Sequence, residues 1–255
     1  MSLAIEFLHW VKYGSLNQNG FSVVHTPKPD KMDMTTAQSG LNEILTGLIP
    51  QINTNITTMV LELGKDPIPT LASWSKNEQG NVLGINVGEI KSRMSITNVT
   101  GLSTLAVKSI AVSDLAGDIT SAISGKLTLT AAFDTDMAAT LSGDLTTSVG
   151  GAQNSTNIQG SANILDVKMT ATGTFAATVN GETLCLTSLG FASASIDSWN
   201  LHLVLGDLGF FQPAHAAFQA RFANYFNVDF RNSFNSALPR LFSDPAQPLL
   251  PGCKG

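Results

Sequence analysis

Residues 41–63 read LNEILTGLIPQINTNITTMVLEL and decide the fold on the N-terminal side of the chain. Aliphatic residues recur there at steps of three and four, which places them on one face of an α-helix. This stripe consists of Leu41, Ile44, Leu45, Leu48, Ile49, Ile52, Ile56, Met59, Val60 and Leu63. We expect Thr35 or Thr36 to cap the helix, Pro50 to bend it and Gly64 to end it.

The C-terminal side of the chain predicts a second amphipathic helix, from about Pro213 to Phe242. Aromatic residues dominate its apolar side, which carries Phe218, Phe222, Tyr225, Phe226, Phe230, Phe234, Leu238 and Leu241. Pro213 suits the first turn of a helix, and Pro239 is predicted to kink or end the regular part. A helix of about 25 to 30 residues spans roughly 40 Å, so both helices could run the length of an elongated domain.

The residues between the two helices change to a period of two, which is typical of β-strands. The clearest run alternates Leu127, Leu129, Ala131 and Phe133 with Lys126, Thr128, Thr130 and Ala132. Residues 164–178, 183–189 and 193–205 show a similar alternation. Asn180 and Gly181 suit a hairpin turn, because both residue types tolerate a positive φ. We therefore predict long antiparallel strands joined by hairpins.

The predicted fold class is α+β, with a long curled antiparallel β-sheet wrapped around the two long amphipathic helices. Several inward candidates on the strands are small, namely Ala139, Ala162, Ala171 and Ala177. Small side chains on a concave sheet leave volume for a ligand, unless the helices pack there and fill it. The predicted organisation is an N-terminal segment at 1–34 with a possible short helix, one domain at 35–243 and a tail at 244–255.

The composition excludes some classes of protein. Charged residues make up only 13% of the 255 residues, and the net charge is −5. Ser, Thr, Asn and Gln must therefore cover much of the surface, as is more typical of secreted proteins than of cytosolic enzymes. The absence of a Lys and Arg cluster from the sequence predicts no nucleic-acid partner. We expect a secreted, extracellular protein.

Secretion requires a signal peptide, and the N-terminus does not have the pattern of one, so we expect it to have been removed. No run approaches about 18 consecutive apolar residues, the length of a membrane-spanning helix. Sequons at Asn55, Asn98 and Asn154 are candidate glycosylation sites, although a chain rich in Asn, Ser and Thr produces such triplets by chance. Cys185 and Cys253 either form a disulfide that holds the tail on the sheet, or are one buried and one free thiol.

Signals of catalysis are weak throughout the sequence. The four histidines, His9, His25, His202 and His215, show no paired spacing of a zinc helix. The sequence contains neither a Gly-x-Ser-x-Gly elbow nor a phosphate-binding glycine loop. Asp134, Asp136 and Asp144 are acidic residues without the spacing of a calcium loop, so solvated turns explain them better. We predict no enzymatic activity, no metal and no cofactor, but a bound hydrophobic ligand such as a lipid, terpenoid or carotenoid.

Three segments resemble a known superfamily. Residues 66–69 (DPIP) follow the first helix, residues 88–102 read GEIKSRMSITNVTGL, and Leu208-Gly209 precedes the last helix. Over roughly residues 35–242, this order is similar to the tubular lipid-binding superfamily. Its members include bactericidal permeability-increasing protein, insect takeout and juvenile-hormone-binding proteins, and mite group 7 allergens. The chain differs from takeout proteins in lacking an early cysteine pair. The resemblance implies one tubular domain whose cavity takes an apolar ligand, and no catalysis.

The candidate ligand-binding residues are the large apolar side chains that would face such an interior. They are Leu41, Leu45, Leu48, Ile52 and Met59 on the first helix, Phe175, Phe191 and Trp199 on the sheet, and Phe218, Phe222 and Phe226 on the last helix. For each residue alone, ordinary core packing is the simpler explanation. Together they favour a large apolar interior that binds a fatty acid, terpenoid, sterol or carotenoid for transport.

Two other functions fit the same sequence. An interaction protein could bind microbial lipids or interfaces through exposed apolar tips, with Ala4–Val11 as the candidate contact or as a short docked helix. A β-rich adhesin fits less well, because no repeat of fixed period occurs and the helices have no place in it. The expected partners are a hydrophobic small molecule and, transiently, a membrane or lipid surface, and the expected state is a monomer or weak dimer.

Overall fold

The computed structural model describes residues 34–82, 85–149, 152–180, 183–209, 212 and 215–250. Their elements are α1 (Met34–Glu62), β1 (Ile68–Val82), β2 (Ile85–Thr100), β3 (Leu105–Asp118), β4 (Ala122–Phe133), β5 (Met137–Val149), β6 (Ala152–Asn180), β7 (Thr183–Leu205), α2 (His215–Asn224) and α3 (Arg231–Ala246). A π-helical segment, Tyr225–Phe230, joins α2 to α3. The predicted segment Ala4–Val11, residue Gly181 of the predicted turn, and Cys253 lie outside the described residues.

Most of the predicted apolar stripe forms the buried face of α1, whereas Ile44, Ile49 and Leu63 are only partly buried. The buried residues are Ala37, Leu41, Leu45, Leu48, Ile52, Ile56, Met59 and Val60. Gly64 ends the helix as predicted, because its φ of 60° turns the chain back on the last turn. The N–H of Lys65 then donates to the C=O of Val60 at 3.1 Å, and the N–H of Gly64 donates to the C=O of Leu61 at 2.9 Å. This pair of bonds is the Schellman motif, which satisfies carbonyls at a helix end.

Two sequence predictions about helix limits are wrong. Thr35 and Thr36 lie inside the first turn, because α1 is already helical at Met34. Pro239 does not end the regular part, because it lies within α3, which continues to Ala246, and the alternative of a kink at Pro239 stays a prediction. Proline in a helix interior costs about 3 kcal/mol. Burial of the apolar side chains around Pro239 offsets this cost, since each fully buried large side chain contributes about 1.5–3 kcal/mol.

All seven described strands belong to one antiparallel sheet with β6 at its centre. The order is β1-β2-β5-β6-β4-β3, and β7 pairs with β6 on its other edge. Because β6 has 29 residues, its residues 152–164 pair with β5 and its residues 168–178 pair with β4. Near the change of partner, Asp166 has a φ of 52°. The sheet therefore divides into a β1-β2-β5 half and a β4-β3 half, joined by β6.

The strands alternate as the sequence predicts, with one face toward the helices. On β4, the buried positions are Ile123, Leu127, Leu129 and Ala131, and the partly buried Gly125 occupies the inward position between the first two. The small residues Ala139, Ala162, Ala171 and Ala177 are also buried. The inner face of the sheet and the apolar faces of the helices thus form a single core.

Polar side chains of α1 complete the free edge of β3. The Asn53 side chain accepts from the N–H of Val107 at 2.7 Å and donates to its C=O at 3.2 Å, as a neighbouring strand would. Nearer the N-terminus of α1, Asn42 accepts from the N–H of Val112 at 2.9 Å, and Gln38 donates to the C=O of Val112 at 2.9 Å. Asn42 and Asn53 lie about 16 Å apart along a helix, and Val107 and Val112 lie about 16 Å apart along a strand. The spacings match, so α1 covers an edge that would otherwise offer unpaired groups.

We call α2, the π-helical segment and α3 together the C-terminal helix. Its side chains form hydrogen bonds with the free edge of β7, as those of α1 do with the edge of β3. Asn235 accepts from the N–H of Ile196 at 2.8 Å, and Arg231 donates to the Ile196 C=O at 2.6 Å. Ser243 accepts from the N–H of Phe191 at 2.9 Å. One more bond, from Gln247 to the C=O of Leu189, measures 2.8 Å.

The two helices also meet each other. The side-chain amide of Asn55 on α1 donates to the C=O of Pro245 on α3 at 3.0 Å. The sheet is thus closed by helices, which are bound to its β3 and β7 edges by side-chain hydrogen bonds. A closure of this kind can open without breaking a β-ladder.

Candidate ligand-binding interior

The structure brings the predicted ligand-binding residues into one apolar core. Ten of them are buried, with at most 8% of the side chain exposed: Leu41, Leu45, Leu48, Ile52, Met59, Phe175, Phe191, Phe218, Phe222 and Phe226. Trp199 is partly buried and packs against the same core. These side chains face each other from α1, from β6 and β7, and from the C-terminal helix. Their role in binding stays a prediction.

Phenylalanine recurs at every fourth position of the C-terminal helix, from Phe218 to Phe234. In an α-helix, a row with this spacing turns around the axis by about 40° at each step. The π-helical segment at residues 225–230 has more residues per turn and corrects this drift. Phe222, Phe226, Phe230 and Phe234 are consequently all buried.

Ring contacts make this row continuous. The ring centroids of Phe226 and Phe230 are 6.0 Å apart, and those of Phe230 and Phe234 are 5.7 Å apart. Phe133 on β4 extends the row at 6.2 Å from Phe234. At the other end, Phe222 contacts Trp74 on β1 at 5.6 Å. Tyr225 joins the two parts, because its ring stacks on Trp74 and lies 5.9 Å from that of Phe226. An aromatic surface therefore runs from β1 to β4 along the C-terminal helix, and we call it the aromatic row.

Trp74 is the main residue of the interior that the sequence analysis missed. Its ring stacks on Tyr225 with a centroid distance of 5.5 Å, and the guanidinium of Arg221 lies over it at 5.9 Å. Its indole Nε1 is buried and has no hydrogen-bond partner among the described residues. Indole N–H can only donate, so a buried one without an acceptor is costly. In the sequence, only the alternation of Trp74 with Ser73 and Ser75 indicates an inward position.

Tyr225 is the second polar group beside Trp74. Burial, together with a smaller effect of the nearby Asp229 carboxylate, raises the pKa of Tyr225 to about 12. The phenol therefore keeps its proton at neutral pH and can donate. Trp74, Arg221 and Tyr225 thus present three donor groups at one end of the aromatic row, and we call them the donor cluster.

Thr147 on β5 is another buried polar residue of the inner face. It is only 1% exposed, and its Oγ1 also lacks a hydrogen-bond partner in the described part of the chain. In the strand register, Trp74 pairs with Met94 and Met94 with Gly143, four residues before Thr147. Thr147 therefore lies on the same face of the sheet as Trp74, but about 13 Å further along the strand direction.

Trp199 occupies the outer margin of the core. Its ring stacks on Phe230 with centroids 6.1 Å apart, and its Nε1 donates to Asn227 Oδ1 at 2.9 Å. The guanidinium of Arg231 lies 5.6 Å from the ring centre. Unlike Trp74, Trp199 has a satisfied N–H, so it contributes a ring but no free donor.

The outer face of the sheet carries an open polar cleft of about 660 Å³ over β1, β2, β5 and β6. Its lining residues are Ser73, Trp74, Ser75, Arg93, Met94, Ser95, Ser142, Gly143, Asp144, Asn157, Ile158 and Gln159. The side chains of Trp74, Met94 and Ile158 point inward, so these three residues contribute backbone to the floor of the cleft. At Gly143, a Cβ would lie 2.1 Å from the carbonyl oxygen of Arg93, so only glycine permits this approach of strands. The sequence analysis did not predict this cleft.

The structure also locates the predicted glycosylation sites and one of the two cysteines. Asn98 and Asn154 are exposed, whereas Asn55 is partly buried and uses its amide nitrogen to bind Pro245. Cys185 is buried and disulfide-bonded, and its predicted partner Cys253 lies outside the described residues. Within the described ranges, no three acidic, His or Cys side chains group as metal ligands would. No helix in that part of the chain has the length and apolarity to cross a membrane.

Comparison with known proteins gives a distant structural likeness. No family model matches the sequence, and no curated protein matches it. The chain is similar in structure to the crystal structure of a lipopolysaccharide binding protein, with a TM-score of 0.34 and 13% sequence identity. The match covers 82% of this chain and 38% of that one. The predicted likeness to mite allergens and takeout proteins stays a prediction, and the function must be inferred from the side chains.

Proposed function

We propose that the protein binds an elongated hydrophobic molecule between the C-terminal helix and the inner face of the sheet. The observation that carries this proposal is the aromatic row, which the π-helical segment keeps on one face over four turns. Ordinary core packing does not require phenylalanine at each of these positions. A continuous surface of rings opposite buried alanines suits a long apolar ligand, which gains contacts along its whole length.

The energetics of burial permit useful affinity. Each buried methylene contributes about 0.8 kcal/mol, so a chain of a dozen methylenes contributes on the order of 10 kcal/mol. Association and ordering oppose this gain. The net result is a dissociation constant in the micromolar range or somewhat below. The length of the apolar interior would then select ligands by size.

Entry of the ligand requires the helices to separate from the sheet, because the rings of the aromatic row contact each other. The closure described above makes this movement feasible. Side-chain hydrogen bonds hold α3 to β7, and Asn55 bonds α3 to α1. Each such bond contributes only about 1 kcal/mol, and the incoming apolar ligand would replace the ring contacts that are lost when the helix moves, while the β-ladders stay intact.

The proposal includes transport outside the cell without catalysis. The buried, disulfide-bonded Cys185 supports an oxidising compartment. The low content of charged residues supports the same location. The ligand is proposed to be a fatty acid, terpenoid, sterol or carotenoid.

The test is a titration of the delipidated protein with N-phenyl-1-naphthylamine, an uncharged probe that fluoresces in apolar surroundings. We expect saturable binding. Two residues of the π-helical segment provide matched variants, since Phe226 is 1% exposed and Val228 is 44% exposed. Phe226→Leu should change the affinity about fivefold, the equivalent of about 1 kcal/mol, and Val228→Ala should not. A folded protein, as judged by circular dichroism, that takes up no probe would contradict the proposal.

The alternative is an interaction protein that contacts lipid surfaces through exposed apolar tips. In the described part of the chain, the exposed large apolar residues are Met34, Leu61, Val204 and Val228. Met34 and Leu61 lie at opposite ends of α1, and the other two lie on different elements, so they favour no single contact surface. Liposome flotation without uptake of the apolar probe would select this alternative.

A further inference from the structure

We propose that the interior binds a carboxylic acid whose carboxylate lies at the donor cluster and whose hydrocarbon tail follows the aromatic row. This inference rests on the proposed function and adds the class of the ligand. The donor cluster and the aromatic row meet at Phe222, which contacts Trp74 at 5.6 Å. A site with hydrogen-bond donors at one end and an apolar surface leading away from them fits a ligand with a polar head and one hydrocarbon chain.

The N–H of Trp74 supports a ligand that carries a hydrogen-bond acceptor. Its Nε1 is buried without an acceptor among the described residues, which is unfavourable in the absence of a ligand. Phenylalanine at position 74 would fill much of the same space without this penalty. A ligand oxygen would supply the acceptor that the described residues do not provide. Because indole N–H cannot accept a hydrogen bond, the ligand atom must be an acceptor.

The positive charge of Arg221 beside Trp74 supports a negatively charged head group. Arg221 lies over the indole ring at 5.9 Å and is exposed, so its guanidinium can reach a head group at the margin of the interior. Tyr225, which stacks on the same indole at 5.5 Å, keeps a phenolic proton that it can donate. Asp229 is the opposing charge near Tyr225, one turn further along the helix. Arg221 offers two parallel donors in the geometry that a carboxylate prefers.

The experiment compares cis-parinaric acid with its methyl ester, which have the same tail and differ only in the head group. Both are titrated into the delipidated full chain at neutral pH. We expect the acid to bind at least about tenfold more tightly than the ester, since hydrogen bonds to a charged group are strong. Trp74→Phe should abolish most of this preference while leaving the affinity for the ester within about twofold.

Two further variants separate a binding role from a structural one. Arg221→Gln should also reduce the preference for the acid, because it removes the charge of the donor cluster. Thr147→Val removes the other buried, unsatisfied group of the inner face and should leave the preference unchanged. Trp74→Phe should lower the melting temperature of the ligand-free protein only slightly, because phenylalanine keeps an aromatic ring against Phe222 and Tyr225 and no hydrogen bond among the described residues is lost.

The outcomes distinguish the inference from the proposed function. Equal binding of acid and ester by the unmodified protein would overturn the inference and leave the apolar interior intact. A preference for the acid that survives Trp74→Phe would also overturn it, because the indole N–H would then make no contribution to binding of the head group. Binding of neither probe by a folded protein would overturn the proposed function itself.

Discussion

Asp66 shows how one residue of a short motif can fix the geometry around it. Its carboxylate accepts from the N–H of Gly101 at 3.0 Å and from the N–H of Ser103 at 2.7 Å, and the Ser103 hydroxyl donates to it as well. The segment DPIP therefore connects the end of α1 to the turn between β2 and β3. The sequence resemblance singled out residues 66–69, but it did not indicate which groups the Asp66 carboxylate binds.

Replacement of Asp66 tests this role. Asp66→Ala leaves the two backbone N–H groups without their acceptor, so it should lower the free energy of unfolding by about 2 kcal/mol. Urea denaturation followed by circular dichroism measures the change. Glu43→Ala, at an exposed position of α1, is the control and should change the stability by less than about 0.5 kcal/mol. Equal effects of the two variants would show that Asp66 has no special role.

Tyr225 gives a prediction for alkaline pH. Its folded-state pKa of about 12 lies above the ordinary value of 10.0. The folded state therefore holds the proton more tightly than the unfolded state does. The resulting stabilisation is complete below pH 10 and is lost as the pH rises from 10 towards 12. Phenolate absorbance of a Tyr13→Phe variant should show no ionisation of Tyr225 at its ordinary pKa, and ionisation there would contradict the burial described.

Trp199 is predicted to contribute to ligand binding through its ring. It stacks on Phe230 of the aromatic row, so Trp199→Ala should weaken binding of the apolar probe by about fivefold, the equivalent of about 1 kcal/mol. Fluorescence titration of the folded variant measures this. An unchanged affinity would remove Trp199 from the binding residues.

At the scale of elements, the amides of α1 take the place of a missing strand beside β3. Asn53→Ala removes both bonds to Val107 and should destabilise the protein by about 1–2 kcal/mol. Hydrogen exchange at the N–H of Val107 should become faster. Gln51→Ala is the matched control, since Gln51 is exposed and bonds only to Asn55 in the described part of the chain. Unchanged exchange at Val107 would mean that α1 does not protect the edge.

The elements were predictable from the sequence to the extent that their patterns are local. The stripe of α1, its end at Gly64 and the alternation in β4 depend on spacing within a few residues, and all three are confirmed. The dual pairing of β6 and the helix-to-edge hydrogen bonds depend on tertiary contacts. Asn42 and Asn53 looked like ordinary polar surface, because nothing local distinguishes a solvated amide from one that caps a strand.

At the scale of the whole molecule, the sequence predicted an apolar interior but not its polar end. Ten of the candidate binding residues are buried in one core, because apolar periodicity identifies inward positions reliably. Trp74 was missed, since its importance depends on the lack of an acceptor for Nε1 among the described residues, which no sequence pattern reveals. The outer cleft was missed for a similar reason, since it needs side chains from four strands in register.

The central claim is that the protein carries an apolar ligand between its C-terminal helix and its sheet. Native mass spectrometry of gently purified protein, followed by unfolding and organic extraction, tests this claim most directly. We expect a discrete hydrophobic species that stays bound to the folded protein and is released on unfolding. A ligand-free mass, from a folded protein that also fails to take up an apolar probe, would contradict it.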